Sequence, residues 1–437
     1  MTAFARFRDR LQTALLARLD EHIARLSWDA SRIRTEQRTR LRKLLAHASA
    51  HSPFHRARLA DMMDRLDDVF TDRALTPDAV ERALAATAAE PVLIDDRFIA
   101  MTSGGSSGRR GVFVLDRDGL VDYLGCLCRS LVARLRAQGG PPPGGLPIAF
   151  VAAASAVHAT GAAVALAVGG QLPFRFCGVP VTLRLDEITA RLDAIDAPAL
   201  YGYPSMLARL ADEKRAGRLR IAPRMITTTS ETLTPALRAS ITDAFAAPIV
   251  DVFGSTEGLV GATPPGEPIH AFNTDTCIIE LVDRDHRPVP DGEVSDSILI
   301  TNLSNLVQPL IRYELTDRFT RQPPAVEHGH LRATVEGRTD DVLRYADIAI
   351  HPLVVHSVLV TVPAVLDYQI RQTPRGVEIV TVAADAIDPE HLVRRLSQAL
   401  AAAGLVDPEV QIRRQAALER DALTGKVRRL VPLPASR

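Results

Sequence analysis

Cysteine is scarce in this chain. Four residues, Cys126, Cys128, Cys177 and Cys277, are spread over 437 positions, too few and too scattered for a disulfide framework, and a reducing cytoplasmic setting is expected. Net charge is absent as well. The 52 Lys and Arg balance 52 Asp and Glu, so no global basic field gathers nucleic acid or an anionic membrane surface, and neither is an expected partner. No uninterrupted apolar run reaches about 18 residues, which argues against a spanning helix. The first residues, MTAFARFRDRLQTALLARLDEH, mix acids and bases at helical spacing. They lack the apolar core and cleavage site of a secretory signal. No internal repeat is evident.

What is present is an ordinary globular composition, 46% hydrophobic and 24% charged. The length suits two or three domains, or one large domain with a small one. Apolar periodicity predicts helices in LQTALLARLDEHIARL (11–26), RTRLRKLLAHASAHSPF (38–54), the Pro-initiated TPDAVERALAATAAE (76–90) and DRDGLVDYLGCLCRSLVARLRAQ (116–138). Cys126 and Cys128 fall on different faces of the last of these and read as core residues. LPIAFVAAA (146–154) is a continuous apolar run fit for a buried parallel strand. Helices at 182–196, 206–219 and 234–246 then alternate with strands entering turns in PALYGYPS (198–205), PRMITTTSETL (223–233) and PIVDVFGSTEG (248–258). That alternation implies parallel pairing with helical crossovers, and ligands in such sheets sit at the carboxyl ends of the strands. The loops YGYPS, TTTSE and FGSTEG are therefore expected to face one cleft. From about 270 the pattern turns β-rich (DTCIIELVD, SILITNL, PLIRYELTDRF). A compact α+β tail follows GRTDDVLR (337–344) and ends in ALTGKVRRL.

TSGGSSGRRG (101–110) is open to two readings, a slack turn or a backbone cradle for phosphate. The strand-like GVFVLD behind it argues against an interdomain tether. Glu257, at a strand's carboxyl end beside Ser255 and Thr256, suits a divalent metal or a capping turn. Asp317, the GRTDD turn and Lys426 are each compatible with an exposed surface position when taken alone.

Together, in this order, these stretches resemble the adenylate-forming (acyl-CoA synthetase) superfamily, and within it the phenylacetate–CoA ligase-like branch. The resemblance covers nearly the whole chain. It implies an α/β fold with a large multi-sheet N-terminal adenylate-forming domain (1–338) and a small mobile α+β C-terminal domain (339–437) pivoting at Asp340. It implies that a carboxylic acid, aryl or arylacetic, attacks the α-phosphate of ATP to give an acyl-adenylate, which is then passed to CoA. Thr102, Ser103, Gly104, Gly105, Ser106, Ser107 and Gly108 would hold the β- and γ-phosphates. Thr256 would bond the α-phosphate, Glu257 would bind Mg²⁺, Asp317 would accept from both ribose hydroxyls, and Arg338 would lie near the nucleotide. Ser230, Glu231, Phe253, Gly254 and Ser255 complete the expected ATP contacts. Tyr201, Tyr203, Pro204 and His158 are the expected acid-binding residues. Lys426 would bridge α-phosphate and carboxylate during attack. A homodimer is compatible with the resemblance. Asp251 is a weak candidate for holding a substrate amino group, so an amino acid is less favoured.

Three departures from the family pattern bear on function. Arg109-Arg110 stands where many relatives have Pro-Lys, and arginine still meets phosphate. VLRYADIAIHP (342–352) lacks the glycine that lets backbone approach pantetheine, which keeps acyl transfer to a carrier protein or an amine as the alternative to CoA. A non-catalytic nucleotide-binding relative is the remaining alternative, opposed by the presence of Glu257, Asp317 and Lys426. EHGH (327–330) replaces a Cys-x-Cys associated with structural zinc. His270, His328 and His330 are weak substitute ligands, and exposed loop histidines are the favoured reading.

Overall fold

A computed structural model describes residues 2–56, 75–87, 90–102, 111–152, 156–170, 172–181, 183–338, 343–345, 348–350, 353–359, 362, 364–383, 387–420 and 427–433. Its centre is a nine-stranded sheet. Five strands run parallel in the order Phe174–Pro180, Leu146–Ala152, Ala199–Gly202, Met225–Thr229, Ile249–Gly254. The sheet then continues antiparallel through Val260–Ala262, His270–Phe272, Arg332–Arg338 and Asp317–Gln322. The parallel half is where the apolar runs are: Ile148 through Ala152 are all buried because helices cover both faces. The helices Leu185–Ile195, Pro204–Arg215 and Pro235–Phe245 are the crossovers. Pro204 and Pro235 occupy first-turn positions, and the Thr234 hydroxyl caps the Leu237 N–H.

Two of the differences from the sequence reading bear on the site. Phe174–Pro180 is an additional edge strand; its partly exposed residues, glycine and terminal proline hide the period-2 signal. PLIRYELTDRF is broken at Thr316. Tyr313–Leu315 pairs in a three-stranded sheet with Cys277–Val282 and Ser297–Asn302, whereas Asp317–Gln322 joins the large sheet. Asp317 thus stands where the chain changes sheets.

Residues 343–431 have their own core, in which Ile370, Ile379, Leu392, Leu396 and Leu400 are buried. The strands lie in the order Glu409–Arg414, Gly376–Ala383, Val365–Thr373, Leu430–Val431, with the helix Pro389–Ala402 against them. Among the described residues no helix is long and apolar enough to cross a membrane.

The helix Ala3–Ala24 packs on Arg117–Ala137, burying Leu11, Leu15 and Leu19 with Leu120, Val121, Cys126 and Cys128. His22 enters this seam because residue 125 is glycine: a Cβ there would sit 2.7 Å from the imidazole. The ring lies 3.4 Å from Asp122. Burial pulls the His22 pKa down, but bonding to Asp122 and Cys126 overrides it and raises the value to about 9. A folded-state pKa above the unfolded value stabilises the fold fully below about pH 6.5, and that contribution is lost as pH rises through about 9. Unfolding free energy is therefore expected to fall by roughly 2–3 kcal/mol between these limits. His22→Gln should flatten this slope in denaturant titrations at several pH values, and an unchanged slope would contradict the assignment.

Candidate active site

The carboxyl ends of the parallel strands deliver the expected loops to one edge. Thr102, ending Phe98–Thr102, is in antiparallel register with Val112, which begins Val112–Leu115, so the described residues on either side of the TSGGSSGRRG stretch pair in one sheet. Residues 103–110, and with them Ser103, Gly104, Gly105, Ser106, Ser107 and Gly108, lie outside the described residues. Their two ends are nonetheless tied to one sheet, which excludes an interdomain tether. Gln308 anchors the second strand through the Val114 N–H at 2.9 Å and the Val112 carbonyl at 3.1 Å. Thr102 donates its N–H to the Val157 carbonyl at 2.8 Å, and its hydroxyl lies 3.5 Å from His158 Nδ1. His158 therefore sits directly beside the start of the phosphate-loop candidate.

The turn after Ile249–Gly254 is closed by Ser255 N–H to the Leu259 carbonyl at 2.9 Å. Gly258 has φ of 105°, a left-handed conformation that favours glycine. Asn302 donates to the Glu257 carbonyl at 2.8 Å, which fixes the backbone beneath the half-buried Glu257 side chain. Thr256 is buried, its hydroxyl 3.4 Å from the Glu257 carboxylate. Gly254 is exposed, and Phe253 packs edge-on against Phe272 and Phe319. Asp317 is directly opposite Arg338 in the antiparallel pair Asp317–Gln322 and Arg332–Arg338. Two residues assigned to the nucleotide are thus cross-strand neighbours.

Of the acid-binding candidates, Tyr201 is half-buried and stacks on Phe150 at 4.6 Å, with Phe176 edge-on to both. Tyr203 is 0% exposed and packs with Met206 and Leu207, so its ring supports the turn from within the core. Pro204 is buried at the start of its helix. Sequence reasoning missed Tyr123, Leu127, Phe150 and Phe176. Burial pushes the Tyr123 phenol upward, reinforced by the Glu257 carboxylate and by Tyr201, which places all three in one electrostatic neighbourhood. A Cβ on Gly254 would stand 3.5 Å from Leu127, so the helix Arg117–Ala137 forms a wall of this region. The available signal was a tyrosine on the apolar face of an amphipathic helix, which core packing explains equally well.

Ser230 has φ of 65°, a left-handed conformation at the strand exit. Glu231 then accepts from the Ser205 N–H at 3.1 Å and from the Val427 N–H at 2.8 Å. Lys426 and the hinge candidate Asp340 lie outside the described residues, and Val427, the next residue after Lys426, is held at this edge.

The histidines do not converge on a metal. His330 is buried between the Arg25 carbonyl, at 2.8 Å, and the Thr274 hydroxyl, at 3.1 Å, and its N–H meets the His328 ring. His270 is buried 3.3 Å from Asp251, and Asp251 accepts from the Thr228 hydroxyl. Among the described residues no group of three or more His, Cys, Asp or Glu is placed to hold a metal ion. Mg²⁺ arriving with ATP draws most of its ligands from phosphate and water and needs only one or two carboxylates. The single half-buried Glu257 fits that role.

No protein-family model and no curated protein matches this sequence. Solved structures do. A 2-hydroxyisobutyryl-CoA ligase, captured in the postadenylation state with an acyl-AMP, aligns over 90% of this chain and 88% of its own, with a TM-score of 0.63 at 18% identity. The same enzyme in its thioesterification state, bound to CoA, gives 0.52 at 18% identity over 92% and 90%. The amide bond synthetase McbA from Marinactinospora thermotolerans gives 0.52 at 16% identity, covering 73% of this chain and 65% of that one.

Proposed function

We propose that this chain, which has the fold of the adenylate-forming ligases, activates a carboxylic acid with ATP as an acyl-adenylate and transfers the acyl group to CoA. The observation that supports the reading is the hydrogen bond from the N–H of Val427, the residue after Lys426 in sequence, to Glu231 at the carboxyl edge of the parallel strands. The motif order supports the phenylacetate–CoA ligase-like branch, with domains dividing near Arg338.

In this reading a carboxylate oxygen of the acid forms a bond to the α-phosphorus as the bond to the pyrophosphate oxygen breaks. Two anions must be brought together, so the work is positioning and charge neutralisation. Residues 102–108 cradle the β- and γ-phosphates, and Thr256 bonds the α-phosphate. Glu257 would hold Mg²⁺, which would offset charge on the phosphoryl oxygens. Asp317 and Arg338 hold the nucleoside side. Lys426 spans carboxylate and α-phosphate. Phe150, Phe176 and Tyr201 supply stacking surface for an aryl or arylacetic acid, with Tyr123 close to Glu257.

Transfer to an amine or a carrier protein is the second reading. Leu343–Tyr345 and Ile348–Ile350 pair antiparallel, and the stretch 342–352 contains no glycine, the residue that lets backbone approach a pantetheine arm closely. The test is incubation with ATP, Mg²⁺ and a panel of aryl, arylacetic and aliphatic acids, with hydroxylamine to trap activated acyl groups, followed by CoA and mass detection. Acyl-CoA formed as fast as hydroxamate supports the CoA ligase. Hydroxamate without acyl-CoA supports the second reading, and neither product from any acid refutes both.

A further inference from the structure

Asn302, Asn305 and Gln308 follow one another at intervals of three and are 5%, 2% and 5% exposed. Each uses both ends of its carboxamide. The Asn302 oxygen accepts from the Ser304 and Asn305 N–H groups at 2.9 and 3.1 Å, and the Asn305 oxygen from those of Val307 and Gln308 at 3.1 and 3.2 Å. These oxygens fold the segment, as asparagine does in turns. The nitrogens reach outward. Asn302 donates to the Glu257 carbonyl at 2.8 Å and Asn305 to the Val114 carbonyl at 2.9 Å. Gln308 accepts from the Val114 N–H at 2.9 Å and donates to the Val112 carbonyl at 3.1 Å. Val112–Leu115 is the outer strand of a three-stranded sheet, and an open edge carries unpaired backbone groups. A carboxamide offers a donor and an acceptor, as a peptide group does, so Asn305 and Gln308 stand in for a neighbouring strand. On the other side of that strand, Val112 pairs with Thr102. The segment is itself pinned, with the Leu303 N–H on the Thr276 carbonyl at 2.9 Å and the Asn302 N–H on the Leu310 carbonyl at 3.0 Å. It therefore ties the strand pair that holds Thr102 to the turn that holds Glu257.

We infer that Asn302, Asn305 and Gln308 are positioning residues that set the spacing between Thr102 and Glu257. The inference rests on the adenylating reading above, in which these two residues meet the phosphates and the Mg²⁺ of one nucleotide. Mg²⁺ demands near-ideal octahedral geometry, and a misplacement of about 1 Å arising away from the chemistry can cost on the order of a hundredfold in rate. Buried carboxamides, each bonded at both ends, fix such a spacing more closely than two independent turns would.

With an acid that wild type accepts, Gln308→Met and Asn302→Ser are each expected to slow pyrophosphate exchange roughly 10- to 100-fold. Each should raise the Mg²⁺ concentration for half-maximal rate about threefold or more, while KM for the acid stays within about twofold. Either substitution breaks the same link, so the double variant should be no slower than the worse single one. Asn302→Asp and Gln308→Glu keep the acceptor oxygens and lose the donors, and they take the place of the first variants if those do not fold. Val307→Ala truncates a buried side chain of the same segment and leaves every carboxamide in place. It should lower the unfolding midpoint and keep the exchange rate. Wild-type rates in both carboxamide variants, multiplied losses in the double variant, or equal slowing by Val307→Ala overturns the inference. Hydrogen exchange at the Val114 N–H, measured without substrates, should be faster in Asn302→Ser than in wild type, although its own partner Gln308 is untouched. Unchanged protection there also overturns the inference. If wild type activates no acid, the functional reading fails, and the Val114 measurement alone decides whether the link exists.

Discussion

Lys426→Ala is expected to slow acid-dependent pyrophosphate exchange about a hundredfold or more, with the unfolding midpoint left close to wild type. A cation placed where two anions meet contributes roughly 3 kcal/mol or more to the transition state, and each 1.4 kcal/mol is tenfold in rate. Val427 donates its N–H to Glu231 and buries its side chain with Val380 and Leu418, so the loop's end stays anchored when the lysine is truncated. The loss should therefore fall on the rate and not on the fold. An unchanged exchange rate in a folded Lys426→Ala protein would remove the lysine from the mechanism.

Glu257→Gln should be nearly as damaging, on the order of a hundredfold, with a higher Mg²⁺ requirement, because a neutral amide is a poor ligand for a hard cation. Its backbone is set independently of its side chain, by Asn302 on the Glu257 carbonyl and by the Ser255–Leu259 turn. The substitution should leave the turn in place. Wild-type rate and wild-type Mg²⁺ dependence in a titration of this variant would make Glu257 a structural turn residue.

Much of the fold was legible because the parallel half of the sheet writes itself plainly. Leu146–Ala152 is a continuous apolar run, and Thr76, Asp116 and Thr234 cap helices where the sequence places them. The antiparallel half was largely illegible. Val260–Ala262 and His270–Phe272 are three residues long and include glycine or histidine, too short for a period to emerge. The break at Thr316 depends on which of two sheets each segment joins, a choice made by tertiary packing.

The site divides in the same way. Thr102, Glu257 and Asp317 stand out as candidates because loops at strand ends concentrate polar residues. Tyr123 and Leu127 did not, since a site wall built from a helix face looks like core. The second partner of Glu231 lies 196 residues away, and no local pattern encodes such a contact. The fold is shared with enzymes at 16–18% identity because a core needs suitable volume and patterning more than particular side chains.

The most direct measurement is ATP–pyrophosphate exchange by the wild-type protein across a panel of aryl, arylacetic and aliphatic acids with Mg²⁺ present. Incorporation of labelled pyrophosphate into ATP that requires at least one of these acids is the predicted result. A folded protein that binds ATP and catalyses no exchange with any of them would contradict the account.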